Sequence, residues 1–265
     1  MGVKNLVMVT LKKRTAHFLL FALVLFVFPL KAQDEREIEV TAQSILARVD
    51  QVMEYPRGLI RGRMKHIHPD GKSYTVEITG KVAPEDYIFT FSSKSRGDEL
   101  KVLYNLRGED IWVYNIHSIR LYHKMGIDRF DEVLSTNFTF LDLSNADLQS
   151  NYTADIKGIV TIKGKESYKL HLQPIFRGGK YGMLTLFVSR EDLLPLRIDF
   201  HDRDNAIFKF MTLSKVRYMD DRIIPIRYDM MNIRQGTVTI LSFYDFEREA
   251  TFDPEIFRSK KLGSQ

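Results

Sequence analysis

The sequence contains no cysteine at any of its 265 positions. No disulfide can staple the fold, so an apolar core alone must hold it. No leader-end cysteine is present to be acylated, so the chain is not itself a lipoprotein. Catalytic signatures are also missing. There is no G-x-S-x-G, no H-E-x-x-H, no P-loop and no dinucleotide fingerprint. Linkers and low-complexity tracts are absent, which favours one domain. Acidic residues are missing from residues 1–32, where Lys4, Lys12, Lys13, Arg14 and Lys31 stand. Taking those five from the 39 Lys+Arg leaves 34 against 34 Asp+Glu, so residues 33–265 are neutral. A neutral body offers no electrostatic footprint for a phosphate backbone, and nucleic acid is not an expected partner.

Residues 1–32 read as a secretory signal peptide. "KNLVMVTLKKR" is basic, "FLLFALVLFVF" is apolar but short for a membrane span, and Ala32 sits at the cleavage position. An exported, thiol-free chain suits a bacterial periplasm. Residues 33–265 are then the mature domain, expected as a monomer.

Residues 35–53 carry Ile38, Ala42, Ile45, Leu46, Val49, Val52 and Met53 at helical spacing, with Asp34 and Glu35 near the start. Beyond them the period becomes two. About a dozen strands follow, separated by turns such as "PDG", "GED", "KGK" and "RDN". That order predicts one large antiparallel sheet, strongly curved or partly closed. Many strands are apolar on both parities, as in "GMLTLFV" and "AIFKFMTL". A sheet with one wet face alternates more cleanly. Either a second layer covers the far face, or the sheet curves round an apolar hollow. Strict alternation in "AIFKFMTL" places Phe208 and Phe210 together, opposite Lys209 and Met211.

His66, His68 and Asp70 in "HIHPD" are the one candidate start of a metal site, with exposed turn residues as the plainer account. No metal ligand set and no cofactor follow from them. The aromatic residues are denser than any catalytic signal. Interrupting the strands is "RFDEVLSTNFTFLDLS", with Phe130, Phe138 and Phe140 among Asp131, Glu132 and Asp142.

Over "IWVYNIHSIRLYHK…RFDEVLSTNFTFLDLS" the chain resembles the LolA-like outer-membrane lipoprotein-sorting proteins. The residues carrying the resemblance are Trp112, Tyr114, Arg120, Lys124, Ser135, Asn137, Phe138, Thr139, Phe140, Asp142 and Leu143. It implies a mainly β fold with a few helices, its sheet curved into an unclosed barrel and its helices capping an apolar hollow. Residues 125–150 would be a lid, with Phe138 and Phe140 turned inward and Asp131, Glu132 and Asp142 outward. The implied function is non-enzymatic: a periplasmic carrier of lipoprotein acyl chains or another lipid, working between an inner-membrane exporter and an outer-membrane acceptor. An envelope-stress sensor of lipid is the alternative, and a metal-dependent hydrolase around His66 a lesser one. The lining residues expected are Phe89, Phe91, Trp112, Tyr114, Phe138, Phe140, Leu184, Leu186, Phe208 and Phe210.

Overall fold

Thr41 begins the first described helix. Its hydroxyl accepts from the Ser44 amide, and the Ser44 hydroxyl accepts from the Thr41 amide, both at 3.1 Å. This reciprocal cap satisfies two donors that the helix start would otherwise leave bare. Helix α1 then spans Ala42–Met53 and buries Ile45, Leu46, Val49 and Val52 as one stripe. The computed structural model describes residues 40–144, 147–219 and 222–264. The predicted helix began at residue 35, but residues 40 and 41 are not helical. Asp34, Glu35 and the predicted signal peptide lie outside the described residues.

Strands follow in two runs. The first is β1 (Gly58–Ile67), β2 (Ser73–Val82), β3 (Tyr87–Ser93), β4 (Asp98–Asn105), β5 (Asp110–Asn115) and β6 (Arg120–Lys124). After two short helices, α2 (Phe140–Leu143) and α3 (Leu148–Asn151), come β7 (Tyr152–Ile162), β8 (Lys165–Pro174), β9 (Met183–Ser189) and β10 (Pro195–His201). The last three are β11 (Ile207–Met219), β12 (Arg222–Asn232) and β13 (Thr237–Glu247). All thirteen form one sheet in the order β6-β5-β4-β3-β2-β1-β13-β12-β11-β10-β9-β8-β7. Every pairing is antiparallel, including the β1–β13 junction that joins the two runs.

This topology corrects the expected unclosed barrel. The sheet is open and not strongly curled, with β6 and β7 as its two edges. Each edge is blunted in the usual way. Strand β6 is exposed along nearly its whole length and carries Arg120 and Lys124. Strand β7 is broken by a bulge between Ile156 and Gly158, around Lys157. Neither edge is built to pair with the other.

The doubly apolar strands have a different cause from curvature. One face, the core face, is packed by α1 and by residues 130–143, over Phe89, Phe91, Leu184, Leu186, Phe200 and Met211. The other face is covered over β3–β5 by the C-terminal segment. There Phe257 and Leu262 are buried on Ile88 and Leu103, with Trp112 and Tyr114 at the margin. Over β3–β5, layers on both sides therefore account for the doubly apolar pattern. Aromatic rings also take space left by missing side chains. Gly80 lies under Phe89, where a Cβ would come within 2.3 Å of the ring.

Helix α3 is tied to α1 through a carboxylate. Asp50 accepts from the amides of Leu148 at 2.9 Å and Gln149 at 3.2 Å. Asp147, the N-cap, also accepts from Gln149, at 2.9 Å. Burial, then the bond to Asp147, pushes the Asp50 carboxyl up from 3.8 to about 7. Against its own burial, which raises it, the bonds from Asp50 and Ser150 hold Asp147 below its ordinary value. The folded state thus keeps a proton on Asp50 that the unfolded chain releases above pH 3.8. Its contribution is complete below that pH and is lost as pH rises through about 7. Asp147 acts with the opposite sign and only below its ordinary range. His66, held neutral down to about pH 4, acts with the opposite sign below its ordinary 6.5, so the test is a difference: by urea unfolding, wild type should lose stability relative to Asp50→Asn as pH rises between about 4.5 and 7.5. An identical slope in the variant would refute the assignment.

Candidate functional site

The segment between β6 and β7 starts at one sheet edge and ends at the other, so it must cross a face. It crosses the core face through two 3-10 turns, at Gly126–Phe130 and Val133–Ser135, and then α2. Leu134 and Ser135 take positive φ, 47° and 58°, which costs energy in residues with a Cβ. The Tyr74 hydroxyl holds this corner by donating to the Leu134 carbonyl at 2.9 Å.

Polar bonds then pin the segment to the sheet. The Asn137 side-chain amide donates to the carbonyls of Met230 at 3.1 Å and Thr237 at 3.0 Å. Its oxygen accepts from the Thr237 hydroxyl at 2.7 Å. The Asn137 amide donates to the Thr239 hydroxyl at 2.9 Å. That hydroxyl also lies 2.8 Å from Nδ1 of His66. His66 is therefore a buried strand residue and not part of an exposed turn. Burial, with His68 and Arg96 nearby, pushes its pKa down to about 4.

The strongest anchor is ionic. Lys209 Nζ donates to Asp142 Oδ2 at 2.6 Å and to the Tyr181 hydroxyl at 2.6 Å. Tyr181 donates in turn to Asp142 Oδ1 at 2.7 Å. Asp142 also accepts from the Thr139 amide at 2.9 Å, closing the capping box of α2. Only 3% of the Lys209 side chain and 4% of that of Asp142 are exposed. The ammonium further sits 4.5 Å from the Phe200 ring centroid and 4.8 Å from that of Tyr181. Burial pulls Lys209 below its ordinary value, against the pull of Asp142. Asp142, expected to keep an outer surface wet, is one half of this buried pair.

Beside the anchor is a cavity of about 110 Å³. A single water needs about 10–15 Å³, so several waters or a short apolar segment would fit. Its walls are Met53 of α1, Leu148 of α3, Phe130 and Leu141 of the crossing segment, and Leu184, Ile198, Phe200 and Met211 of β9–β11. Gly126 and Phe176 lie at its mouth, and Phe176 is 57% exposed. The charged residues lining it are Asp50, Asp142 and Arg129. Arg129 Nη2 donates to the Gly108 carbonyl at 3.3 Å, but its Nε is buried with no partner. The hydroxyls of Tyr87 and Tyr104 are likewise buried without a partner. A buried polar group left unpaired costs about 1–3 kcal/mol.

Of the ten expected lining residues, Leu184 alone reaches this cavity. Phe89, Phe91, Phe138, Phe140 and Leu186 are buried in the same core, packed against other side chains. Trp112 and Tyr114 lie on the opposite face, next to the C-terminal segment. Phe208 and Phe210 do not share a face. Phe200 pairs with Lys209 and His201 with Ile207, so Phe208 is the extra residue of a bulge. Its ring approaches Tyr181, with centroids 6.0 Å apart. Phe210 points the other way, under the Arg197 guanidinium at 4.3 Å. Arg129 and Phe130 fall within the expected lid, residues 125–150, but not among the expected lining residues; Met53, Tyr181 and Lys209 lie outside both expectations. The available signal was Lys209 itself, a lone cation inside the apolar run "AIFKFMTL".

The anchor predicts a sharp asymmetry between single and double substitutions. Lys209→Met should lose about 3–5 kcal/mol of unfolding free energy, because Asp142 is left buried without its counter-ion. Lys209→Met with Asp142→Asn should recover much of that loss. Equal losses in the two variants, measured by urea unfolding, would dismiss the coupling.

No curated protein matches the chain. Solved structures do match its fold. A DUF1329 family protein from Desulfovibrio piger superposes with a TM-score of 0.71 at 19% identity, over 83% of this chain and 97% of that one. A LolA superfamily protein from Nitrosomonas europaea gives 0.68 at 19% identity, over 83% and 98%. A Vibrio parahaemolyticus domain, named as a proposed outer membrane lipoprotein-sorting protein, gives 0.72 at 15% identity, over 83% and 97%. At these identities the shared property is the fold, a LolA-type open sheet. A family model described as "Uncharacterized protein" matches residues 85–264, from β3 to the end of the C-terminal segment, and the chain belongs to that family.

Proposed function

We propose that the protein is a periplasmic lipid carrier. It takes an acyl chain, of a lipoprotein or of another lipid, into the cavity beside Lys209 and passes it toward the outer membrane. The observation that carries this reading is an apolar cavity of about 110 Å³ with an exposed phenylalanine at its mouth. Residues 1–32 would be the cleaved export signal and residues 33–265 one carrier domain. An inner-membrane exporter and an outer-membrane acceptor would be its partners. Each methylene moved out of water contributes about 0.8 kcal/mol, so binding needs no chemistry.

The proposed role requires no catalysis. Among the described residues no group of three or more His, Cys, Asp or Glu could hold a metal ion. The hydrolase alternative depended on such a group. His66 is committed to Thr239, and Asp70 pairs with Lys72 in the β1–β2 turn. Among the described residues no helix is long and apolar enough to cross a membrane.

The test uses an uncharged apolar dye. Purified protein should raise its fluorescence saturably, and a long-chain acylglycerol should displace it. Leu184→Trp should weaken dye binding by roughly tenfold by filling the cavity, while circular dichroism stays that of a folded sheet. Trp112 lies on the opposite face and should not report on occupancy. Folded protein with no saturable, displaceable binding would end the carrier reading.

A further inference from the structure

We infer that Arg129 makes this a site for an anionic amphiphile. A carboxylate or phosphate would sit on the guanidinium while the apolar chain enters the cavity. The inference rests on the carrier reading and adds the class of ligand. Three charged residues line the cavity, and the two acids are already engaged. Asp142 is occupied by Lys209, Tyr181 and the Thr139 amide. Asp50 is occupied by the amides of Leu148 and Gln149. Arg129 is different. Its one hydrogen bond goes to a neutral carbonyl, that of Gly108, and its Nε is buried and bare. Burial pulls its pKa down, and the acid that opposes this most is Glu109, which is exposed. A half-buried guanidinium that makes no ion pair among the described residues is half of a charge-assisted pair.

A second vacancy lies next to the first. The Tyr87 hydroxyl is buried without a partner. It stands against Gly108, where a Cβ would come within 2.7 Å of it. Gly108 is the residue whose carbonyl takes the Arg129 bond, so two unused donors flank one glycine. Both would be satisfied by the oxygens of one anionic head. A neutral head could fill the Tyr87 vacancy but would leave the guanidinium without a counter-charge. Arg129 and Phe130, adjacent in sequence, both line the cavity, whereas Tyr87 lines the neighbouring cleft with Arg107, so the head would sit at Arg129, between cavity and cleft, with its chain along Phe130.

The experiment compares three single-chain probes on the full mature protein: oleate, an oleoyl lysophosphatidate and neutral monooleoylglycerol. Wild type should bind the better of the two anions at least roughly tenfold more tightly than the neutral probe. Arg129→Gln should remove that preference and leave monooleoylglycerol binding within about twofold. Tyr87→Phe deletes a hydroxyl that bonds to nothing. It should fold normally and weaken anion binding by roughly threefold or more. Whichever anion binds better identifies the source as a carboxylate or a phosphate head, and either result supports the inference. Equal affinity of wild type for charged and neutral probes would overturn the headgroup role and leave the carrier reading standing. So would an anion preference that survives Arg129→Gln. Should Arg129→Gln fail to fold, the wild-type ratio and Tyr87→Phe decide the matter alone. No binding of any probe would sink the carrier reading, and this inference with it.

Discussion

One ammonium group organises the core face. Lys209 is buried in the middle of an apolar strand, and a bare charge there would be prohibitive. Its partners must come from elsewhere in the chain, and they come from two places. Asp142 is delivered by the segment that crosses the sheet, and Tyr181 by the loop between β8 and β9. The crossing segment is thereby fixed in register as well as in place. Asn137, five residues before Asp142, finds the carbonyls of Met230 and Thr237 on β12 and β13. Once those bonds are made, Leu141 and Phe130 stand where the cavity wall requires them.

The same anchor explains why a cavity persists. An apolar space bounded only by apolar side chains tends to close, because each gap forfeits dispersion contacts on its lining. Here one wall cannot move inward without breaking hydrogen bonds to buried charges. Another wall, α1 with α3, is held by the Asp50 carboxyl on the amides of Leu148 and Gln149. Polar geometry sets the distance between the walls, and the apolar side chains fill only part of it.

Much of this fold is legible in the sequence. The period-two runs and their turn residues mark the strands, since alternation and glycine-bearing turns are local properties. The Ile45–Val52 stripe marks α1 for the same reason. Closure was misread because apolar residues on both parities say that both faces are covered, not what covers them. The cover is α1 and the crossing segment on one side and, over β3–β5, the C-terminal segment on the other. Phe208 and Phe210 do not share a face as strict alternation predicts, because a one-residue bulge beside His201 shifts the parity, and nothing in "AIFKFMTL" signals a bulge. The cavity residues were the least legible. Met53, Arg129, Tyr181 and Met211 come from four separate elements, and no local pattern links them.

Arg129 shows what sequence alone cannot weigh. In "GIDRF" it reads as an ordinary surface charge between Asp128 and Phe130. The fold turns that ordinary residue into an unusual one by placing it in a 3-10 turn against the core face. Its Nη2 is drawn to the carbonyl of Gly108, which follows strand β4. Gly108 itself has φ +88°, and any Cβ there would strike the Ser144 carbonyl. The backbone can therefore come close enough to bury the Tyr87 hydroxyl and the Arg129 Nε, yet it offers them one carbonyl between them. Unsatisfied donors are rare in folded proteins because they are costly. One of them, on Arg129, lines the apolar cavity, and the other, on Tyr87, lies across Gly108 from it; they give the cavity a chemical direction: apolar toward β9–β11, cationic toward Gly108.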